Sequence, residues 1–302
     1  MRRRRFFAWG LGVAACAAGC GTERATGGVP GLRARFSINP EGRRWTRVGH
    51  VFADVARATG YQIGAGTKVT LTGLPALAAA EVNSAQTLLD TTTPLSRLSG
   101  DVEVVVVPGD SRFRDFEDFG AQLLARPGQM PLAGGPEGEP DHLLFGLIAK
   151  GLGADTRQVD YTGYPSSQEA ATALLSGKAK AAAGLLADWR AGIGAGRVRV
   201  LAVSSARRVA ELDVPTLLES GVRVDFADWV AAFGPLAMPD GAREAAIRMC
   251  DDVTGSPAWD AACRSEGWVS IPLSGDDFEL WLSSEVERTR AVLRDLGLLD
   301  KP

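Results

Sequence analysis

Residues 201–221, LAVSSARRVAELDVPTLLESG, join an apolar strand to a short helix through a basic loop. Thr216 is followed three residues later by Glu219, which is the spacing of a capping box with reciprocal side-chain and backbone hydrogen bonds. Pro215 restricts the preceding residue to an extended conformation, and Gly221 is typical of a helix end. The stretch therefore predicts a strand ending near residue 203 and a one-turn helix over 216–221.

On both sides of this stretch, short apolar runs alternate with helical patterns, which is typical of α/β architecture. The strongest run is 102–107, VEVVVV, as expected for a strand buried on both faces. A second apolar strand begins at 229. Together they predict two α/β lobes, the first built from 32–107 plus 229–302 and the second from 108–228. Two lobes joined by two strands make a hinged fold that closes around a ligand.

The N-terminus, MRRRRFFAWGLGVAACAAGC, has a basic segment, an apolar segment and small residues before Cys20. This pattern predicts a signal peptide over 1–19, with Arg3-Arg4-Arg5 leaving general and twin-arginine export both open. Ala-Ala-Gly-Cys resembles a bacterial lipobox, which implies lipidation of Cys20 and a tether over 20–31. The alternative is a plain signal peptide with an incidental cysteine. The mature protein is then expected on the outer face of the cytoplasmic membrane, held there by lipid.

Charge and composition argue against several classes of protein. The formal charge is −3, and removing residues 1–19, which hold four arginines and no acid, changes it to −7. Nucleic-acid binding is not expected, because such proteins carry a basic patch. After processing, Cys250 and Cys263 remain, and in an oxidising compartment they favour a disulfide, the alternative being two buried free thiols. No metal site is expected, since neither cysteine has a CxxC partner.

No catalytic arrangement is recognisable in the sequence. It contains no GxSxG nucleophile elbow and no GxxxxGK[ST] phosphate loop. His142 follows Asp141, but at a helix start the aspartate is first a cap. The chain is therefore expected to be a binding protein without a cofactor.

Many segments in register resemble one family. They include TTTPLSRLSGDVEVVVVP (91–108), VDYTGY (159–164), ALLSGKAKAAAG (173–184), DWVAAFGPLAMPDG (228–241) and residues 201–221 themselves. The chain resembles the substrate-binding proteins of tripartite tricarboxylate transporters over nearly all of its mature length. The resemblance implies an α/β type II periplasmic-binding-protein fold with the ligand cleft between the lobes. It also implies capture of a small carboxylate and its delivery to a membrane permease of a large and a small subunit.

The family's first ligand loop corresponds to residues 39–46, NPEGRRWT. The family has Gly-Gly-Gly, an aromatic residue and Asp here, whereas this chain has Arg43, Arg44, Trp45 and Thr46. An arginine in this loop either binds the ligand carboxylate through its guanidinium or is simply solvated. The resemblance predicts that Trp45 contacts ligand, so that Trp45→Ala weakens binding more than folding. A second family loop, Asn-x-Pro-Gly-Ala-Gly-Gly, is not recognisable in residues 70–80.

The second-lobe ligand loop corresponds to residues 134–142, GGPEGEPDH. Pro136 replaces the family's serine and removes a hydroxyl and an N–H group. Glu137 and Glu139 add negative charge beside a site for anions, which disfavours a di- or tricarboxylate unless both point outward. The loop positions kept as ligand candidates are Gly134, Gly135 and Asp141.

The remaining candidates implied by the resemblance are Tyr161, Ser166, Ser167, Glu169 and Trp229. Because the glycine-rich contacts are altered, two interpretations remain. Either the protein binds a different organic acid, of lower charge or smaller size, or it is a sensor or accessory lipoprotein of the same fold. Residues 204–208 either contribute to a permease-facing surface or form a conformationally fixed turn.

Overall fold

A computed structural model describes residues 34–210 and 212–300, so the predicted signal peptide, Cys20 and the whole of the predicted tether lie outside the described residues. The described chain forms two β-sheets with helices packed against them. The strands are β1 (Arg35–Pro40), β2 (Gln62–Ile63), β3 (Thr67–Gly73), β4 (Thr92–Asp101), β5 (Glu103–Pro108), β6 (Leu132–Gly134), β7 (Tyr161–Gly163), β8 (Ala181–Leu185), β9 (Val198–Val203), β10 (Asp228–Pro235) and β11 (Trp268–Ser274).

The α-helices alternate with these strands along the chain. Several begin at side-chain caps that the sequence encodes, such as Asp115, Ser166 and Ser256, each of which accepts a backbone N–H of the first turn. The helices are α1 (Thr46–Ala58), α2 (Leu74–Val82), α3 (Leu88–Thr91), α4 (Phe116–Ala125), α5 (Pro140–Leu152), α6 (Ser167–Leu175), α7 (Leu186–Gly194), α8 (Asp240–Thr254), α9 (Pro257–Glu266) and α10 (Gly275–Asp295).

The first sheet has the order β11-β4-β10-β3-β1-β2. Strand β1 pairs in parallel with β2 and β3, whereas β10 runs antiparallel to both β3 and β4. The carboxyl ends of the parallel strands β1 and β3 therefore meet at one edge, where helices α1 and α2 begin. Ligands of open α/β sheets bind at such edges, because helix N-termini present free backbone N–H groups there.

The second sheet has the order β7-β6-β8-β5-β9. Strands β6, β7 and β8 are parallel, and β5 is antiparallel to β8 and β9. Residues 103–107, which the sequence assigns to the first lobe, thus pair inside the second sheet. The chain passes between the sheets at Val102, because the apolar run of β5 is flanked on both sides by the small and β-branched residues of β8 and β9. We therefore place the lobe boundary near 102 and the return at Asp228.

The stretch 201–221 forms the predicted strand and the predicted capping box. Thr216 N–H donates to Glu219 Oε2 (2.8 Å) and Glu219 N–H donates to Thr216 Oγ1 (3.0 Å). Residues 217–221 form hydrogen-bonded turns and not the predicted one-turn helix. Arg208 donates from Nε to both Glu219 carboxylate oxygens (3.0 and 2.9 Å), so the same glutamate fixes the basic loop.

The apolar core is divided between the lobes but also joins them. One cluster lies in the first lobe around Phe52, Trp259 and Val69, and another combines residues of both lobes, with Phe278 of α10 and Phe145 of α5 in the same cluster. A Cβ on Gly146 of α5 would lie 3.0 Å from Val292 of α10, which shows how closely these two helices pack.

The predicted disulfide is not formed. Cys250 and Cys263 are both free thiols, and both are buried in the first-lobe apolar cluster. Burial raises the pKa of the Cys263 thiol to about 12 and raises that of Cys250 further still. Each cysteine packs as a small hydrophobic residue, which is the common environment of a buried free cysteine.

Candidate functional site

Arg44 lies at a polar contact between the two lobes. It lies in the loop between β1 and α1, at the carboxyl end of β1. Its guanidinium forms an ion pair with Asp228, the first residue of β10, and lies 3.6 Å from Glu139 Oε2 in the loop before α5. The first-lobe loop and the second-lobe loop predicted from the sequence therefore meet at this one side chain.

The carboxylates around Arg44 keep it charged. Burial alone would lower the pKa of the Arg44 guanidinium, but Asp228, Glu139 and Asp141 outweigh burial and raise the pKa above its usual value. The side chain is 39% exposed, whereas that of Asp228 is 1% exposed. Arg44 thus compensates a buried acid while one side of its guanidinium remains accessible to solvent.

Several further acids lie near this pair. Burial raises the pKa of Asp101 and of Asp141 to about 7 in each case, with the negative charge of Asp228 adding to both shifts. Glu103 is completely buried at the start of β5, and neither of its carboxylate oxygens has a hydrogen-bond partner among the described residues. Burial raises the pKa of Glu103 well above its usual value, and Asp141 and Asp228 contribute further. Two of these acids, Asp101 and Asp141, therefore change charge near neutral pH.

The second-lobe loop is organised by internal hydrogen bonds. Gly135 N–H donates to Asp141 Oδ2 (2.6 Å), and the Tyr161 hydroxyl donates to the Gly135 carbonyl oxygen (2.6 Å). A Cβ on Gly134 would lie 2.6 Å from the Tyr161 hydroxyl oxygen, so only glycine fits at this position without displacing its neighbours. The prediction that Asp141 caps this helix is wrong, because Glu139 holds the N-cap position and Asp141 lies in the first turn of α5. Its carboxylate instead accepts the Gly135 N–H group, which is therefore not free for an anionic ligand.

His142 has a structural environment. Its ring stacks on Tyr161 with centroids 4.1 Å apart, and its Nδ1 accepts from Gly138 N–H (3.2 Å). Burial lowers the pKa of His142 to about 4, so the ring is neutral at physiological pH. The His142 ring thus packs between Tyr161 and the 134–142 loop and holds both in place.

Ser166, Ser167 and Glu169 lie apart from Arg44. Ser166 caps α6 by accepting from Glu169 N–H (3.3 Å), and the Ser167 hydroxyl donates to Asp188 of α7. The two serines line a groove of about 530 Å³ between α6 and α7, entirely within the second lobe. These predicted contacts are therefore not brought together with the first-lobe loop.

The two predicted tryptophans are both buried. Trp45 is 5% exposed and packs in the first-lobe core, with the Arg44 guanidinium 5.7 Å from its ring centroid. Trp229 donates from Nε1 to Glu285 Oε1 (3.3 Å) and packs edge-on against Trp281 of α10. Each ring therefore belongs to a hydrophobic core, which does not support the expected exposure of Trp45 to ligand.

The remaining first-loop candidates differ from Arg44 in their surroundings. Arg43 is exposed, and the Thr46 hydroxyl donates to the Gly42 carbonyl oxygen (3.3 Å). Residues 70–80, where a family loop is not recognisable, contain the end of β3 and the first turns of α2, which begins directly at Leu74 with Pro75 in its first turn. The strand here runs into a helix with no glycine-rich loop between them.

Two features of the sequence indicate the buried acids. Glu103 is the one charged residue within the apolar run 102–107, and an isolated acid in a strand buried on both faces indicates a functional or compensated charge. Asp228 directly precedes the apolar strand that returns to the first sheet. Only the three-dimensional structure shows that Asp228 faces Arg44.

Within residues 34–210 and 212–300 there is no group of three or more His, Cys, Asp or Glu side chains positioned to hold a metal ion. In the same residues, none of the helices combines the length and apolarity that a membrane span requires.

Comparison with known proteins gives a consistent set of similarities. Residues 47–298 match the family described as "Tripartite tricarboxylate transporter family receptor". A protein encoded in the tcbD-tcbE intergenic region of a Pseudomonas species is 32% identical over 139 residues, covering 45% of this chain and 40% of that protein. Protein BugT of Bordetella pertussis is 28% identical over 213 residues, covering 70% of this chain and 64% of BugT. The matches thus span less than two thirds of either relative.

Solved structures share the fold at low sequence identity. A TctC solute-binding protein from Polaromonas aligns with a TM-score of 0.70 and 19% identity, covering 87% of this chain and 98% of that one. An R. palustris protein with adipate aligns with a TM-score of 0.67 and 17% identity, covering 87% and 97%. MatC from Rhodopseudomonas palustris, with bound malate, gives 0.61 and 15%, covering 89% and 99%. These likenesses establish the two-lobe periplasmic-binding-protein fold.

Proposed function

The chain belongs to the receptor family of tripartite tricarboxylate transporters, and from this premise we propose that it captures a small organic acid between its lobes for such a transporter. The family consists of solute receptors and not of enzymes, in agreement with the sequence. The observation that carries the proposal is Arg44, which contacts groups of both lobes at the edge where the parallel strands end. A guanidinium in that position binds a carboxylate through two parallel hydrogen bonds.

The chemistry of the neighbours agrees with this proposal. The solved structures with the same fold include one with malate and one with adipate, both of which are dicarboxylates. In this chain, we propose that the ligand carboxylate replaces Glu139 on Arg44. Glu139 is the more exposed of the two partners and lies 3.6 Å away, so its displacement costs less than displacement of Asp228.

The surrounding acids restrict the ligand to one carboxylate. Asp228, Glu139 and Asp141 all lie close enough to Arg44 to raise its pKa, so a second anionic group in this cleft would meet like charge. At an effective dielectric constant of 20, like charges about 4 Å apart repel by roughly 4 kcal/mol. We therefore propose a monocarboxylate with an uncharged body as the ligand class, in place of a di- or tricarboxylate.

A thermal-shift panel tests this proposal. At 100 times Kd a ligand adds ~2.7 kcal/mol to the free energy of unfolding, which corresponds to roughly 5–10 °C in Tm for a chain of this size. Lactate and benzoate represent the proposed class, and malate, adipate and citrate represent the more highly charged acids. Shifts only with the first group support the proposal, and a flat response to all five contradicts it.

A variant panel locates the binding. Arg44→Ala combined with Asp228→Asn removes the cation without leaving a buried charge, and we expect it to lose the monocarboxylate response. Arg43→Ala removes the neighbouring exposed arginine and serves as the matched control, with an unchanged response. Equal loss in both variants would show that general loop charge, and not Arg44, accounts for binding.

The anchor and the partner are further parts of the proposal. Lipidation of Cys20 would hold the receptor at the outer face of the cytoplasmic membrane, where a permease takes up the released ligand. Cys20→Ser is expected to move the protein from the membrane fraction to the soluble exported fraction. An unchanged distribution would contradict the lipid anchor.

One observation favours the second candidate function, a sensor or accessory lipoprotein without transport. The Gly135 N–H is already occupied by Asp141, and Arg44 is already paired with two carboxylates of the same chain. A protein that uses its own acids in this way need not capture a free one. Absence of any ligand response combined with retained membrane anchoring would favour this candidate over transport.

A further inference from the structure

A cavity of about 840 Å³ lies between the lobes, apart from the Arg44 cleft. The first lobe contributes β4, α9, β11 and α10 to its walls, and the second contributes α7 and the segment after β9. None of Arg44, Glu139 and Asp141 lines it. Since β11 and β9 are edge strands on the far side of β10 and β5 from the parallel strands, the cavity and the cleft lie on opposite sides of the lobe junction.

The walls of this cavity are strongly basic. They carry seven arginines and a single acid, Asp225, although the whole chain has more acidic than basic residues. The arginines come from both lobes and from several elements far apart in sequence. They are Arg97, Arg190, Arg207, Arg208, Arg223, Arg264 and Arg288.

Some of these arginines are neutralised within the chain. Arg208 is paired with Glu219, and Arg288 Nη2 donates to Glu285 Oε1 (2.8 Å). By contrast, Arg207, Arg223 and Arg264 are exposed, and none of them forms an ion pair with a described carboxylate. The cavity therefore has an excess of positive charge from guanidinium groups whose donors remain available.

Arg97 lies deeper in the cavity. Its Nε donates to the Ile271 carbonyl oxygen (2.8 Å), and its guanidinium lies 4.3 Å from the ring centroid of Trp281. Burial lowers the pKa of Arg97, the charges of Glu285 and Asp225 oppose that shift, and the nearby charge of Arg288 adds a smaller lowering. Arg97 and Arg288 are therefore close enough to repel each other, and a bound anion would add to the compensation that Glu285 and Asp225 already provide.

The cavity also has an apolar wall. Trp268, Val269 and Ile271 of β11 and Trp281 of α10 line it beside the arginines. Its volume lies within the range of small-molecule sites, which are mostly apolar with a few placed polar groups. An inorganic ion would use the guanidinium groups but not this wall, whereas an organic anion would use both.

We propose that this cavity is a second ligand site, for an organic anion that carries at least two negative charges on an aromatic body. The anionic oxygens bind Arg207, Arg264 and Arg97, and the aromatic body lies against Trp281 and Ile271. Carboxylates and phosphate esters share this chemistry. The site is distinct from the Arg44 cleft, which accepts a single carboxylate, and does not depend on what the cleft binds.

Calorimetric titration of the full exported chain tests the proposal, with benzene-1,3,5-tricarboxylate and 1-naphthyl phosphate as the two probes. Tighter binding of one probe identifies carboxylate or phosphate as the preferred group. Inorganic phosphate is the control for a simple ion site. We expect at least one probe to bind more tightly than inorganic phosphate, with an affinity that falls as salt increases.

Variants then place the binding. Arg207→Ala/Arg264→Ala is expected to weaken the preferred probe at least roughly tenfold, since two charge-assisted contacts are lost. These side chains are exposed, so the variant is expected to fold, which an unchanged Tm without probe would verify. Arg126→Ala, another exposed arginine outside the cavity, is the matched control and should leave affinity unchanged.

Five outcomes would overturn the proposal. The first three are that neither probe binds, that the probes bind no more tightly than inorganic phosphate, and that Arg207→Ala/Arg264→Ala binds the probe with unchanged affinity. The fourth is loss of probe binding in Arg44→Ala/Asp228→Asn with retention in Arg207→Ala/Arg264→Ala, which would place the probe in the cleft. The fifth is an oligoglutamate peptide that binds at least tenfold more tightly than either probe, which would show that the cavity binds an acidic protein segment and not a small ligand.

Discussion

Removal of Arg44 is expected to destabilise the protein through the charge it leaves behind on Asp228. Deleting one partner of a buried ion pair typically costs about 3–5 kcal/mol, because the remaining charge is buried without compensation. Asp228 is almost wholly buried, but Arg44 is 39% exposed, so water already screens part of the interaction. We therefore expect Arg44→Ala to lower the free energy of unfolding by about 2–3 kcal/mol at pH 8, measured by urea denaturation.

Adding Asp228→Asn to Arg44→Ala shows whether the loss of stability comes from the uncompensated charge or from lost packing. Asp228→Asn in the Arg44→Ala background removes the uncompensated charge and should recover most of the lost stability. The cost of Arg44→Ala alone should also shrink as the pH falls, because burial already raises the pKa of Asp228 and loss of Arg44 raises it further. Arg43→Ala is the control and should change stability by less than about 0.5 kcal/mol. No recovery in the double variant would refute the reasoning.

Three further predictions concern the same region. Trp45→Ala should cost about 3–5 kcal/mol in urea denaturation because the ring is a core side chain, and a small cost with loss of ligand response would contradict its placement. Gly134→Ala should cost about 1–3 kcal/mol through overpacking, whereas Gly194→Ala, where a Cβ meets nothing within 4 Å, should be nearly neutral. Since the pKa of Asp141 is raised to about 7, the folded state holds a proton that the unfolded chain releases near pH ~4. Stability should fall as pH rises from about 4 to about 7, and Asp141→Asn should flatten that fall; an opposite slope would contradict the raised pKa.

Local sequence patterns correctly predicted the strand and the capping box of residues 201–221. The capping box of Thr216 and Glu219 forms as predicted, because both partners are three residues apart and need no distant contact. The turn it caps does not continue as a helix, since Gly221 adopts a positive φ and ends it. The two-lobe α/β fold followed from the alternation of elements and from the family resemblance.

Predictions that depend on distant contacts were less successful. The sequence placed the lobe boundary after residue 107, whereas β5 (Glu103–Pro108) pairs with β8 and β9 of the second sheet. An apolar strand can pair with either sheet, and the partners of β5 lie far along the chain, so its local sequence does not decide between them. The disulfide was favoured from compartment and even count, whereas the structure buries both thiols in the apolar core. Side-chain direction explains Trp229, whose backbone pairs with Gly100 of β4 while its indole donates to Glu285 of α10.

The arginine cavity could not be read from the sequence for the same reason. Arg97, Arg207, Arg264 and Arg288 come from four separate segments, each of which alone resembles an ordinary solvated arginine. Only the folding of β4, α9, α10 and the segment after β9 around one space concentrates their charge. The net negative charge of the chain conceals this local excess.

A crystal structure of the chain with a monocarboxylate that gives a thermal shift tests the central claim most directly. We predict that the ligand carboxylate lies on the Arg44 guanidinium, that Glu139 is displaced, and that Asp228 keeps its ion pair. Density for the ligand against Ser166 and Ser167, or among the arginines of the second cavity with the Arg44–Glu139 contact intact, would contradict binding in the cleft.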